Sequence, residues 1–186
     1  MKVFHGTSKS NAEEILQHGF RIKEKEVVND LGKGIYTYCD DWYHIWNPAE
    51  NAARYARQYC NGKVAVLELD LSIADEGVVV LDLDQPDLMK QWKAIRNLLE
   101  ERANRRWQRF SSGRSKKRHN LDGIILETAI NEDIVKNTHG MVIHPDFLVK
   151  NTYTSFIPHT QSNFPNGCEL VIRNSNLINN IKGQGR

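Results

Sequence analysis

Three short segments of this 186-residue chain hold side chains able to grip and polarise a small ligand. The first is Phe4-His5-Gly6-Thr7, which sets an imidazole, a glycine backbone open to close approach and a hydroxyl side by side. An ordinary strand end is the structural alternative for that tripeptide. The second is Gly32-Lys33-Gly34-Ile35-Tyr36, with Tyr55 following 19 residues later. Two tyrosine faces can sandwich a flat cationic ring such as a pyridinium, at about 1–2 kcal/mol per face when desolvated. A strand tyrosine and a helix-core tyrosine are the alternatives here. The third, Gly167-Cys168-Glu169-Leu170-Val171-Ile172-Arg173, places a carboxylate within an apolar run. Burying it there is costly unless it is solvated, paired or functional, and a glutamate on a water-facing edge strand is the alternative. Glu127 is a rival carboxylate, because it too follows an apolar run, Gly123-Ile124-Ile125-Leu126.

Read together in chain order, Phe4-His5-Gly6-Thr7, Gly19-Phe20-Arg21-Ile22, Gly32-Lys33-Gly34-Ile35-Tyr36, the helix bearing Tyr55, and Glu169-Leu170-Val171-Ile172 resemble the ADP-ribosyltransferase superfamily. The likeness is to its His-Tyr-Glu branch, which includes the poly(ADP-ribose) polymerases and diphtheria-type toxins. It covers residues 3 to 71 and returns at 167 to 178, while 72 to 166 resemble no pattern of that family. The resemblance implies an α+β fold: a split β-sheet core with flanking helices, here carrying a basic helix-loop insertion at about 86–120. It also implies NAD as co-substrate, with no metal, and a catalytic triad of His5, Tyr36 and Glu169.

By position, His5 would bind a ribose hydroxyl, the Gly6 backbone would hold the nicotinamide amide, and Thr7 would support the adenosine ribose. Gly34 belongs to the same NAD-binding set, and Tyr36 and Tyr55 would flank the nicotinamide ring. Glu169 would bond the 2′-hydroxyl of the nicotinamide ribose. Such chemistry is physically economical: nicotinamide leaves from a cationic linkage, so orientation and a carboxylate near the developing oxocarbenium suffice. Two positions depart from the pattern. Ala52 stands where many members carry a serine that bonds the nicotinamide amide. Gly167 stands two before Glu169, where a Gln or Glu resembles the arginine-modifying members, which argues against an arginine side chain as acceptor.

The elements that must position these residues are legible in part. Val3 to His5 reads as a strand, followed by a helix from about Ser10, capped by Ser10 with Glu13 and stopped at Gly19. The two glycines before Ile35 turn the backbone into a second strand. Asn47, Pro48 and Glu50 open a helix that runs to about Cys60. Lys63 to Leu71 and Gly77 to Leu83 have buried-strand composition. After Pro86, Leu88, Trp92, Ile95 and Leu99 recur at helical spacing, to about Phe110. Residues 111 to 120 lack apolar periodicity and are expected to form a mobile loop. Strands are expected at Gly123–Leu126, Met141–His144, Tyr153–Ile157 and Cys168–Arg173. The reading is one α+β domain over residues 1–186.

Charge is distributed unevenly. The net charge is +2, yet Arg102 to Arg118 holds eight basic residues and no acidic one, leaving 17 basic against 23 acidic elsewhere. Arg102, Arg105, Arg106 and Arg109 fall on one helix face, and Arg114, Lys116, Lys117 and Arg118 extend it. With Trp107 and Phe110 interleaved, this is the composition of a single-stranded nucleic-acid surface. A solvated basic face with Trp107 anchoring the helix is the alternative. The aromatic stretch Asp40 to Trp46 is expected either to cover NAD or a flipped base, or to plug the core. Three cysteines, Cys39, Cys60 and Cys168, suggest neither a disulfide framework nor a zinc cage.

With no long apolar run, the expectation is a cytoplasmic enzyme without a membrane partner. The leading expectation is mono-ADP-ribosylation of a nucleic acid, RNA preferred, by a small toxin of the bacterial or phage-defence kind, restrained by an antitoxin. A protein acceptor, NAD glycohydrolysis, and a non-catalytic ADP-ribose or RNA-binding module are the competing readings. An RNA 2′-phosphotransferase would instead require a site rich in Arg and His.

Overall fold

The computed structural model describes residues 1–22, 28–40, 44–109, 121–137, 139–153 and 164–184. Its elements are β1 (Lys2–Ser8), α1 (Lys9–His18), β2 (Ile35–Cys39), α2 (Pro48–Tyr59), β3 (Val64–Leu71), β4 (Val80–Asp82), α3 (Pro86–Arg109), α4 (Leu121–Asn131), β5 (Phe147–Thr152), β6 (Gly167–Ile172) and β7 (Ile178–Gly183). The fold is α+β. Its seven strands lie in the order β4-β5-β6-β2-β1-β3-β7. β4 and β5 run parallel, and every other neighbouring pair is antiparallel.

Local signals account for the first helices. The cap of α1 is Ser8, two residues earlier than the expected Ser10: its Oγ accepts from the Asn11 N–H at 3.3 Å. Gly19, at φ +72°, ends the helix and donates its N–H to the Ile15 carbonyl. Asn47 caps α2 by accepting from the Glu50 N–H, with Pro48 in the first turn. The Glu50 carboxylate does not reach back to the cap but pairs with Arg54 one turn on.

Two apolar clusters hold the sheet. One packs α3 and α4 over Leu81, Leu148 and Val171, and includes Leu88, Ile95, Leu99 and Ala103 from α3, with Trp92 packed against it. These repeat at helical spacing, as the sequence indicates. The other packs Ala12 of α1 against Val3, Leu67, Leu69, Phe147, Leu170 and Ile172. Because side chains alternate along a strand, Val171 serves one cluster and its neighbours Leu170 and Ile172 the other.

Several expected strands are corrected. Gly123–Leu126 lies in helix α4, whose residues Gly123 to Glu127, with Ala129 and Ile130, are all buried. A helix covered on every side loses the polar stripe that marks helical period, so its short apolar run reads as a strand. Met141–His144 forms only an isolated bridge, Val142 to Lys136. The strand expected from Tyr153 is instead β5, ending at Thr152, and residues 154–157 lie outside the described residues. Of Gly77–Leu83 only Val80–Asp82 is strand. β7 carries no clear pattern and was not foreseen; it is held by pairing to β3. No helix among the described residues is long and apolar enough to cross a membrane.

Candidate active site

The site lies at a seam in the sheet. β1 pairs with β3 along its whole length, from Lys2–Asp70 to Ser8–Val64. Toward β2 its register contains a single pair, Phe4 with Tyr38. Beyond that pair the strands part, and His5 takes the place of the ladder: its Nδ1 lies 2.8 Å from the Tyr36 carbonyl oxygen. A carbonyl only accepts, so Nδ1 carries the proton and neutral His5 retains Nε2 as an acceptor. Burial holds His5 below its ordinary pKa, against the opposing effect of that hydrogen bond, and so favours the neutral ring. The edge of Phe20 closes on the imidazole with ring centroids 5.1 Å apart.

A pocket of about 460 Å³ occupies this seam, within the usual range for small-molecule sites. Its lining brings together His5, Gly6, Thr7, Gly34, Tyr36, Tyr55 and Glu169, every residue assigned from sequence to catalysis or NAD binding. Tyr36 and Tyr38 lie opposite Val171 and Glu169 across β2 and β6, so these four share one face of the sheet. Tyr36 is tightly fixed: its hydroxyl donates to the Gly32 carbonyl at 2.9 Å and accepts from the Leu31 N–H at 2.8 Å. Burial pushes that hydroxyl well above its ordinary pKa, and the nearby Asp30, Glu169 and Glu127 carboxylates add to the rise. Tyr55 packs on Tyr59 and Tyr38, at centroid distances of 4.7 and 6.4 Å. On the far side of Glu169, Lys150 stands opposite it in β5, with its ammonium 2.9 Å from Asp84.

Sequence reading gave no site role to Phe20, Asn29, Lys33, Arg21, Glu14 or Tyr38, which also line the pocket. For Tyr38 the signal was present, since a strand that points Tyr36 one way points Tyr38 the same way. The others converge only through the fold.

Packing explains the glycines at positions 6 and 167. Ala52 is wholly buried, and a Cβ at residue 6 would lie 1.8 Å from its carbonyl oxygen. Gly6 is thus required by the packing of α2 on β1, in addition to any ligand contact. A Cβ at residue 167 would lie 2.5 Å from Asn51 Nδ2, and Asn51 is itself buried and donates to the Asn166 carbonyl at 3.0 Å. The space for a longer side chain two before Glu169 is filled by Asn51.

Glu127, the rival carboxylate, belongs to α4 and is 3% exposed. It does not line the pocket; it is ion-paired to Arg173 and accepts from the Lys33 N–H at 2.7 Å. The basic face is less isolated than its composition indicates. Arg102 pairs with Glu132 and Arg105 with Glu101, while Arg106 is exposed. Trp107 packs against the α3/α4 cluster, in keeping with an anchor to the core. The Arg109 side chain and residues 110–120, with Phe110, Arg114, Lys116, Lys117 and Arg118, lie outside the described residues, as do 41–43. Among the described residues of the Asp40–Trp46 stretch none lines the pocket, and Ile45 is exposed.

Compared with known proteins, no family model matches this chain and no curated protein matches it.

Proposed function

We propose that this chain is a NAD-dependent mono-ADP-ribosyltransferase whose acceptor is a nucleic acid, RNA by preference. The observation that carries this reading is the convergence of His5, Tyr36 and Glu169, from three distant segments, on one seam pocket with Tyr55. The donor set fits the dinucleotide. Neutral His5 offers an acceptor to a ribose hydroxyl, Tyr36 and Tyr55 offer faces to a pyridinium, and Arg21 and Lys33 offer positive charge to a diphosphate.

In this mechanism the pocket orients the nicotinamide riboside, and Glu169 bonds the ribose 2′-hydroxyl. As the glycosidic C–N bond lengthens, the carboxylate stabilises the positive charge developing on the ribose, and nicotinamide departs with the bonding pair. The acceptor nucleophile then attacks the opposite face of the ribose, forming the new bond at the anomeric carbon and releasing its proton to solvent.

The arginine face of α3 supports a polyanionic acceptor. The pairs of Arg102 with Glu132 and Arg105 with Glu101 are exposed at both partners. Such pairs are worth about 0.2–1 kcal/mol, so phosphate can displace the carboxylates. Incubation with labelled NAD and, separately, total RNA, single-stranded DNA and lysate protein tests the proposal. Label on RNA, absent with Glu169→Gln, is the expected result. Label on protein alone replaces the acceptor, and NAD consumption without transfer makes the chain a glycohydrolase. RNA binding with intact NAD in both proteins would leave a binding module and end the catalytic reading.

A further inference from the structure

Behind the pocket wall lies a buried ion pair that the proposed chemistry does not use. Glu127 projects from α4, and Arg173 follows β6, four residues after Glu169. Both guanidinium Nη groups of Arg173 donate to the Glu127 carboxylate, Nη2 to Oε2 at 3.3 Å. The same two side chains hold the backbone of Lys33 from both sides. Glu127 Oε1 accepts from the Lys33 N–H at 2.7 Å, and Arg173 Nη1 donates to the Lys33 carbonyl at 3.3 Å.

Lys33 is flanked by Gly32 at φ +83° and Gly34 at φ +148°, conformations that glycine adopts without strain, and the turn is closed on itself by the Gly32 N–H donating to the Asn29 carbonyl at 3.0 Å. A Cβ on Gly32 would lie 2.3 Å from Glu127 Oε1, and one on Gly123, a turn earlier on the same face of α4, would lie 1.8 Å from the Asn29 carbonyl oxygen. The turn and the helix are thus fitted together at two successive points. The Tyr36 hydroxyl, bonded to Leu31 and Gly32, ties the turn onward to β2, whose Tyr36 carbonyl orients His5.

We propose that Glu127 and Arg173 are positioning residues: the pair clamps the Asn29–Gly34 turn and so fixes the geometry in which Tyr36, Lys33 and His5 meet a ligand. A buried ion pair is a poor device for stability, because apolar side chains of similar volume generally serve the core as well or better. Only polar side chains, however, can hold both peptide groups of Lys33.

For turnover, this inference rests on the NAD-dependent reading; for the clamp itself it does not. The test is therefore a double variant of the full chain, Glu127→Met with Arg173→Met, set beside wild type in three measurements. These are thermal melting, amide hydrogen exchange at Leu31 and Lys33 against Ile172 as control, and kcat and KM for nicotinamide release from NAD. The expected result is a folded protein with a melting temperature near wild type, exchange at Lys33 faster by about tenfold or more with Ile172 unchanged, and kcat lower by about tenfold or more.

A folded double variant whose Lys33 exchange matches wild type overturns the clamp. Altered exchange with unaltered kcat and KM overturns its part in turnover. If wild type itself releases no nicotinamide, the catalytic reading falls and the exchange result alone decides the clamp. Should the double variant fail to fold, Glu127→Gln is read in its place. It retains an oxygen for the Lys33 N–H but loses the charge-assisted grip on Arg173, so Lys33 exchange about threefold faster is expected and no change overturns the proposal.

Discussion

Residues around the seam divide labour between charge and shape. Glu169 lines the pocket with a carboxylate, and on the proposed function its removal should act on chemistry more than on folding. Glu169→Gln is expected to lower nicotinamide release by about 10²-fold or more with an unchanged melting curve, as removal of a preorganised electrostatic group does. A stopped assay for free nicotinamide reads the first quantity and circular dichroism the second. His5 carries a different prediction. Burial lowers its folded-state pKa, so above the unfolded value of about 6.5 both states are neutral there and His5 adds no pH dependence. Below that value the unfolded chain takes up a proton that the fold resists. Stability should therefore decline as pH falls from about 6.5 through the folded pKa. Urea titrations at successive pH values should show a shallower acid decline in His5→Gln than in wild type. An identical decline would remove His5 as its source.

At the scale of elements, the seam depends on how closely α2 approaches β1. Gly6→Ala drives a methyl group into the Ala52 carbonyl, against backbone that cannot rotate away. A loss of about 3 kcal/mol in unfolding free energy, the upper end of the usual overpacking cost, is expected and measurable by denaturant titration. Along α3, replacing Arg102, Arg105 and Arg106 together by Ala tests the acceptor surface. RNA affinity should fall, and the slope of log K against log salt should become shallower by about 0.7 for each phosphate contact removed. An unchanged slope would locate the acceptor elsewhere. The helix itself should persist, because Leu88, Ile95, Leu99 and Ala103 face the core rather than the arginines.

For the molecule as a whole, one sheet carries two apolar clusters, and the pocket opens where its β1–β2 seam is paired at a single register position. Leu99, on α3, is fully buried in the cluster that α3 shares with α4, so Leu99→Ala should cost about 2–5 kcal/mol by calorimetry or denaturant titration. The α4 helix that shares this cluster also carries Glu127, so loosening it should reach the Asn29–Gly34 turn before it reaches β1 and β3.

The sequence alone determined what depends on neighbours along the chain. Asn47-Pro48 opens a helix and Gly19 ends one because caps act within a single turn, and the Leu88–Leu99 repeat marks a face because helical period is local. The types and order of His5, Tyr36 and Glu169 were likewise legible, as the residues that could do chemistry. Tertiary structure alone decided which of them meet. Glu169 joins His5 through β6 and β2, whereas Glu127, whose apolar flank read as a strand, lies in a helix whose burial on all sides erased its period. Gly6 and Gly167 owe their identity to Ala52 and Asn51 across the fold. No local pattern encodes such pairings, because they arise only when strands and helices distant in sequence are packed to contact.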